Sequence, residues 1–357
     1  MLRILLALGG TLLIGALVAF GRPTAPLPAP PRPTDASSRA RASDAIGPAS
    51  PSVPPPSPRL PPSGPVASEK TFDTEGVQAR AFDDTVDVQP MPRPGGSDWL
   101  ANHEEPGQTY EEWRVCRRNV PNERRSSIRL VRLGALGEGD FPSVETLASY
   151  AETFFGLPAR PVEDAVAAPT FTSRTNSGTG KPQILSTDVL DWLRREMPAD
   201  AFCAVALTTT DLYPEDSWNY VFGQASFFDR TGVFSFARYD PAFFGRPREA
   251  DTPALVLRRS LKVMSHEIGH MFGMEHCIRF RCLMNGSNNL AETDGTPIDL
   301  CPVCLRKLQH AARFDVLARE RALEAWWRSH DLVPEADRAA ARVTRWTAPG
   351  AAAPAVR

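Results

Sequence analysis

Residues 266–276 read HEIGHMFGMEH and contain three of the six histidines in this 357-residue chain. The preceding residues predict a helix that begins at Thr252-Pro253, because threonine can cap free amides and proline fits the first helical turn. On that helix His266 and His270 lie one turn apart on the same face. Two imidazoles placed in this way can bind one metal ion.

A third imidazole follows in the same stretch. Gly273 stands where the helix must end, because glycine can adopt a positive φ and turn the chain. His276 comes three residues later and can return to the same ion. Three neutral histidine nitrogens and one open position are the ligand set of a catalytic zinc ion. Glu267, between the two helical histidines in sequence, is then free to act as general base on a water molecule.

Four cysteines continue the pattern: Cys277 and Cys282 form one pair, and Cys301 and Cys304 form the second. Four and two intervening residues suit a closed tetrahedral zinc site that stabilises the fold. The sequence therefore predicts two zinc ions, one catalytic and one structural. Disulfide bonds within or between the two pairs are the alternative, because an oxidising compartment favours them.

The remaining histidines and cysteines show no metal-binding pattern. His103, His310 and His330 are interpreted as surface or core residues. Cys203 falls in an apolar run and is interpreted as a core thiol, although a disulfide with Cys116 would suit an exported chain.

The whole motif resembles that of a known peptidase group. The pattern His-Glu-x-x-His-x-x-Gly-x-x-His is the metzincin signature. A third histidine that directly precedes the first of four cysteines is similar to that of the archaemetzincins. The similarity extends over about residues 126–310 and includes 211–214, 218–223 and 235–239. The resemblance implies a zinc metallopeptidase in which Met284 forms an apolar floor beneath the catalytic metal. It leaves open whether the enzyme is an aminopeptidase or an endopeptidase.

The resemblance also implies a place for the substrate. Metzincins bind extended peptides against a strand that borders the cleft above the active-site helix, and residues 231–239 alternate like such a strand. An unpaired strand edge would offer its backbone amides and carbonyls to the peptide. The candidate substrate-binding residues are Gly232, Val233, Phe234, Ser235 and Phe236. The alternative is an interior strand, which the aromatic side chains would suit.

The hydrophobic pattern around the motif predicts an α/β (α+β) fold. Apolar runs at 128–133 and 202–207 indicate strands, and apolar residues at three- and four-residue spacing indicate helices after Pro142, at 186–197 and at 302–330. This order points to a mixed sheet with helices packed on it. Together with the resemblance, it implies a metzincin-like catalytic domain with an active-site helix and a C-terminal helical subdomain.

The first 21 residues are interpreted as a signal peptide or an N-terminal membrane anchor. Residues 4–20 carry no charge, and Ala19 and Gly21 are small residues at positions −3 and −1 of a candidate cleavage site. The apolar run is also close to the length that spans a bilayer. We therefore expect an exported protein, periplasmic or extracellular, or one that is anchored to a membrane.

Composition divides the rest of the chain. Residues 22–70 are rich in proline, alanine and serine and predict a disordered, extended spacer. Residues 71–334 are assigned to the peptidase domain, which has an irregular N-terminal lead-in and a core at about 126–330. Residues 335–357 are rich in alanine and predict a loose tail.

Charge and motifs together indicate the function. A net charge of −2, with no dense Lys/Arg run, argues against a nucleic-acid partner. The sequence predicts a monomeric zinc metallopeptidase that hydrolyses a peptide or protein substrate with Glu267 as general base. A catalytically quiet, zinc-stabilised peptide-binding module is the alternative. Glu267 discriminates against it, because a binding module has no use for a carboxylate beside the metal.

Overall fold

The computed structural model describes residues 74–86, 88–116, 118–134, 141–162 and 170–348. The predicted signal or anchor segment and the predicted spacer lie outside these ranges. Within them, no helix combines the length and the apolar composition needed to cross a membrane.

The described residues form eight strands and ten α-helices. The strands are β1 (Ser127–Arg132), β2 (Ala159–Pro161), β3 (Ser173–Thr175), β4 (Pro182–Leu185), β5 (Ala201–Thr208), β6 (Asp211–Tyr213), β7 (Gly223–Ser226) and β8 (Thr231–Ser235). The helices are α1 (Thr74–Ala81), α2 (Trp99–Asn102), α3 (Tyr110–Val115), α4 (Val144–Phe155), α5 (Ser186–Glu196), α6 (Thr252–Met271), α7 (Leu290–Gly295), α8 (Pro302–Ala312), α9 (Val316–Ser329) and α10 (Val333–Trp346).

The main sheet has the strand order β2-β1-β5-β8-β7 and is parallel except for β7. The central strand β5 is buried along its whole length. Val205 and Leu207 join a core formed with α4 and α6, while Ala204 and Ala206 join a second core formed with α5. Burial on both faces explains the continuous apolar run in the sequence. The predicted mixed α/β class is therefore confirmed.

Helix α6 carries the histidine motif and packs against the sheet. It begins at Thr252, as predicted, with a proline in its first turn. Met264, Ile268 and Met271 are fully buried in the core shared with β5 and β8. The helix ends at Met271. Gly273 follows with a φ of 81°, and its N–H donates to the carbonyl of His270 at 2.8 Å. That turn directs the chain back toward the helix.

The C-terminal part differs from the prediction in two ways. The single helix predicted at 302–330 is divided into α8 and α9, because Arg313 adopts a φ of 59°. The predicted loose tail from residue 335 is wrong up to the end of α10. Ala336, Ala339 and Trp346 are buried there. Alanine is a strong helix former, and the helix is stabilised by packing that the local composition did not reveal.

The strand predicted at 231–239 is also different. Strand β8 ends at Ser235, and Ala237–Tyr239 forms a 3-10 turn. β8 pairs with β5 on one side and with β7 on the other. The prediction that this strand is an unpaired edge is therefore wrong. The edge position belongs to β7, which has no strand paired on its outer side among the described residues.

Candidate metal centre

The three histidines of the motif lie together. The Nδ1 atom of His266 bonds to the carbonyl of Leu283 at 3.0 Å, and Nδ1 of His270 bonds to the carbonyl of Met274 at 2.7 Å. Because a carbonyl can only accept, both Nδ1 atoms carry the proton and both Nε2 atoms present a lone pair. The Nε2 atom of His276 is buried and has no hydrogen-bond partner among the described residues. The ligand atoms of the three rings lie within 4.8 Å of one another.

This arrangement fits a metal cation. The Nε2 atoms of His266 and His270 are 3.0 Å apart, so two lone pairs face each other and repel unless a cation lies between them. Burial lowers the pKa of His266 to about 3 and lowers the pKa of His270 well below its usual value. Neutral imidazoles at neutral pH are the form that binds zinc.

The Nδ1 atom of His276 bonds to a carboxylate instead of a carbonyl. Its partner is Oε1 of Glu105, at 2.8 Å. Sequence reasoning missed Glu105, which precedes its partner by 171 residues and belongs to no motif. Burial tends to raise the pKa of Glu105, but its hydrogen bonds with His276 and Trp99 help to hold it below its usual value.

Glu267 lies between the two helical histidines in sequence and is fully buried. Neither of its carboxylate oxygens has a hydrogen-bond partner among the described residues. Burial therefore raises its pKa well above the usual value. Gly223, the first residue of β7, lies against this carboxylate, since a Cβ on that glycine would be 2.8 Å from Oε1 of Glu267. The edge strand thus begins directly beside the candidate base.

Met284 packs against Gly269 of the motif. It is fully buried, and its Sδ atom is 2.5 Å from the position that a Cβ on Gly269 would occupy. The carbonyl of Met284 accepts from the N–H of Cys277 at 2.8 Å. The same turn also provides the Leu283 carbonyl that holds His266. Met284 therefore connects the active-site helix to the start of the cysteine cluster.

The four cysteines form a second cluster, with sulfur atoms within 4.8 Å of one another. Cys277 Sγ and Cys301 Sγ are 3.8 Å apart, far beyond a disulfide length, and all six cysteines are free. Zn–S bonds of about 2.3 Å in a tetrahedron place two sulfurs about 3.8 Å apart. The Sγ atom of Cys282 accepts from the N–H of Cys301 at 3.3 Å and from a second amide. The cluster can bind zinc.

The other histidines and cysteines belong to neither cluster, although His103 lies close to Glu105 and His276. His103 stacks on Trp99, His310 bonds to the hydroxyl of Tyr110, and His330 stacks on Trp326. Cys203 is buried in β5, and Cys116 is exposed. The disulfide considered between these two cysteines is absent.

A buried ion pair supports the loop that leads into β7. The guanidinium of Arg238 donates to both oxygens of Asp211, at 2.8 and 2.7 Å, and stacks 3.3 Å above the ring of Tyr220. Gln183 donates to the same carboxylate and to the carbonyl of Asn219. Apart from Gln183, these residues come from the segments 211–214, 218–223 and 235–239, which carry the resemblance upstream of the motif. Their contacts fix the approach of the chain to the edge strand.

The chain is similar to several known proteins. Residues 184–310 match the family described as Peptidase family M54. Archaemetzincin-2 of Macaca fascicularis is 38% identical over 258 residues, covering 64% of this chain and 72% of the relative. Archaemetzincin-2 of Mus musculus is 39% identical with the same coverage. The crystal structure of an archaemetzincin from Methanopyrus kandleri is 27% identical and aligns with 55% of this chain and 99% of its own, with a TM-score of 0.40.

These findings correct the predicted location. The sequence suggested a signal peptide or transmembrane segment, and hence an exported or membrane-anchored protein. The chain instead matches proteins named only as archaemetzincins, and no described helix could cross a membrane. Neither finding gives a sign of export or of membrane attachment, so this prediction is wrong.

Proposed function

Because the chain belongs to the archaemetzincins, a family of zinc-dependent peptidases, we propose that it hydrolyses peptide bonds at the histidine cluster with Glu267 as general base. One observation carries the proposal. A fully buried carboxylate that has no hydrogen-bond partner within the described part of the chain lies on the helix that supplies two of the three imidazole nitrogens. Such a costly arrangement is expected only where a cation and a reacting molecule complete it. The mixed sheet, the active-site helix and Met284 suit a metzincin-like architecture.

The two clusters have different tasks. His266, His270 and His276 would hold a catalytic zinc ion, and Cys277 with the three later cysteines would hold a structural one. A zinc ion bound by three histidines supplies Lewis acidity toward a peptide carbonyl and toward water. The histidines keep one tautomer, because their Nδ1 protons are committed to fixed acceptors. Their Nε2 lone pairs are therefore directed inward before any metal arrives.

Glu267 would move the proton. In hydrolysis its carboxylate accepts a proton from the attacking water and later gives a proton to the leaving amine. Burial alone favours the protonated acid. A nearby divalent cation favours the carboxylate and opposes that effect. The raised pKa of Glu267 then favours both proton transfers, because a carboxylate whose pKa is close to the working pH can accept a proton from water and donate it to the leaving amine.

The substrate would bind along the outer edge of β7. The N–H of Ser235 donates to the carbonyl of Phe222 at 2.9 Å. Phe222 therefore directs its backbone groups toward β8, and in an antiparallel ladder this direction alternates from one residue to the next. Gly223 and Ala225 accordingly direct their backbone N–H and C=O groups to the outer side of β7. A peptide added there would gain main-chain hydrogen bonds next to Glu267. The substrate role predicted for β8 thus passes to its neighbour.

The deciding experiment compares zinc-loaded wild type with Glu267→Ala on a peptide library. The variant should retain both zinc ions and lose at least about 100-fold in turnover, the lower range for loss of a general base. Glu123→Gln, at an exposed turn, is the control and should behave as wild type. Cleavage sites in the library products would separate aminopeptidase from endopeptidase action. Equal turnover of Glu267→Ala at full zinc content would disprove the mechanism, and binding without cleavage by wild type would indicate a peptide-binding module.

A further inference from the structure

We propose that Glu105 is a positioning residue of the histidine cluster, which orients His276 through its Nδ1 atom and balances part of the charge of the bound metal. The inference rests on the proposed zinc site. Glu105 belongs to the lead-in segment, defined as residues 88–116 and 118–119. This segment lies outside the family match at 184–310, so the lead-in would be a functional part of the metal centre.

The contact of His276 differs in kind from those of the other two histidines. His266 and His270 each use a neutral backbone carbonyl, whereas His276 uses the carboxylate of Glu105 at 2.8 Å. A carboxylate on the distal nitrogen fixes the tautomer and the ring orientation and makes the imidazole a stronger ligand. His276 needs such support most, because it lies on an irregular loop after α6 and not on the helix itself.

Charge balance gives a second argument. Three neutral imidazoles bring no charge to a divalent cation, and moving an uncompensated charge out of water is costly. Glu267 offers one negative charge and Glu105 a second one, at a position with 23% side-chain exposure. Together they would neutralise a divalent ion. These two carboxylates come from distant parts of the sequence, and the carboxylate of Glu275 also lies within electrostatic range of Glu105 and His276.

Glu105 is itself held in place. The indole N–H of Trp99 donates to Oε1 of Glu105 at 2.9 Å, and its ring meets the ring of His276 edge-on at 5.2 Å. The backbone N–H of Trp99 donates to Glu292 at 2.9 Å. A Cβ on Gly286 would come within 2.5 Å of the indole, so the ring packs closely on the turn after Met284.

The other end of the lead-in is fixed to the turn after α6. The ammonium of Lys307 donates to the backbone carbonyl and the side-chain oxygen of Gln108, at 2.7 and 2.9 Å. The side-chain amide of Gln108 donates to the carbonyl of Gly273 at 3.3 Å. Glu105 is therefore bracketed by anchors three residues downstream and six residues upstream. A surface ion pair does not require a carboxylate to be fixed in this way, so the anchors support a positioning role for Glu105.

The test measures zinc affinity separately at the two sites in the full chain. Competition with a chelator gives the affinities, and cobalt substitution distinguishes the sites, because only the cysteine cluster gives thiolate charge-transfer absorption. Glu105→Gln keeps an oxygen acceptor but removes the charge. We expect a 10- to 100-fold weaker zinc affinity at the histidine site, the range for such supporting residues, and an unchanged affinity at the cysteine site.

Three further variants separate positioning from simple tethering. Glu104→Gln, the exposed neighbour, should match wild type. Trp99→Phe removes the bond to Glu105 while keeping an aromatic ring, and should change zinc affinity much less than Glu105→Gln. Glu105→Asp keeps the charge on a shorter side chain and should restore part of the affinity. Asp and Gln variants with equal affinity would contradict the charge argument.

Two outcomes would overturn the inference. One is a Glu105→Gln protein with the zinc affinity of wild type at the histidine site. The other is equal weakening of both zinc sites by Glu105→Gln and Trp99→Phe, which would mean that the lead-in only stabilises the fold. A wild-type protein that binds no zinc at the histidine site would instead refute the proposed function. The two failures are therefore distinguishable.

Discussion

Replacement of Gly269 by alanine should destabilise the protein and weaken zinc binding at the histidine cluster. A Cβ at this position would lie 2.5 Å from Sδ and 3.0 Å from Cε of Met284, and 3.1 Å from Cε of Met274. Favourable contacts between such atoms begin at about 3.5 Å. The side chain of Met284 would have to move by about 1 Å and that of Met274 by about 0.4 Å, and Met284 is fully buried.

Two opposing effects set the magnitude. Glycine to alanine in a helix interior favours folding by about 1 kcal/mol. Overpacking a core costs about 1–3 kcal/mol, and the upper part of that range applies because the turn around Met284 is held by bonds to His266 and Cys277. The net loss should be about 1–2 kcal/mol. A shift of the Leu283 carbonyl would also misalign His266.

The measurement is denaturant unfolding of the zinc-loaded protein together with zinc content at each site. Gly295→Ala is the matched control, since a Cβ there meets no atom within 4 Å. That variant should be neutral or slightly stabilised. Helix propensity alone would stabilise Gly269→Ala by about 1 kcal/mol. If the variant showed that gain in the free energy of unfolding and kept its zinc affinity, the proposed packing of Met284 would be wrong.

Three other changes have defined outcomes. Cys301→Ser should lose the structural zinc and lower the melting temperature far more than it alters turnover per folded molecule; unchanged thermal stability after loss of that zinc would contradict this. Burial lowers the pKa of Lys262 to about 8, so the unfolded chain binds more protons above that pH. The free energy of unfolding of wild type relative to that of Lys262→Met should therefore rise by about 3 kcal/mol between pH 8 and the pKa of lysine in the unfolded chain. Urea unfolding at several pH values measures this difference, and a difference that does not change with pH would contradict the prediction. Ala225→Pro should raise KM by removing an outward amide, whereas Gln224→Pro should disrupt the sheet; an unchanged KM for a folded Ala225→Pro would exclude this edge.

Residues that depend on local rules could be predicted from the sequence. A four-residue spacing placed His266 and His270 on one helical face, and Gly273 marked the end of that helix. The buried strand β5 could be read from its continuous apolar run. Each of these features depends on neighbours within one or two turns, where backbone geometry decides the result.

Features that depend on distant packing could not be predicted. Strand β7 reads Gly-Gln-Ala-Ser, which has neither alternation nor strong β propensity. It forms because β8 offers an unpaired edge and because the Arg238–Asp211 pair fixes the preceding loop. Because β7 was not predicted, the alternating segment at 231–239 was interpreted as the edge strand of the sheet. Helix α10 was missed for the same reason, since its buried face is defined only by the elements on which it packs.

Glu105 shows where a sequence motif stops being informative about a metal site. The ligands obey strict spacing, because one ion must be reached from one helix and the turn that follows it. A residue that orients a ligand needs only a carboxylate at the right point in space, so any part of the chain can supply it. Charge nevertheless limits the search: three neutral imidazoles and one general base leave a divalent ion with one unbalanced charge in a buried site. A second acidic residue near the third histidine suits that requirement, and the fold shows that it is Glu105, not the adjacent Glu275, that bonds to His276.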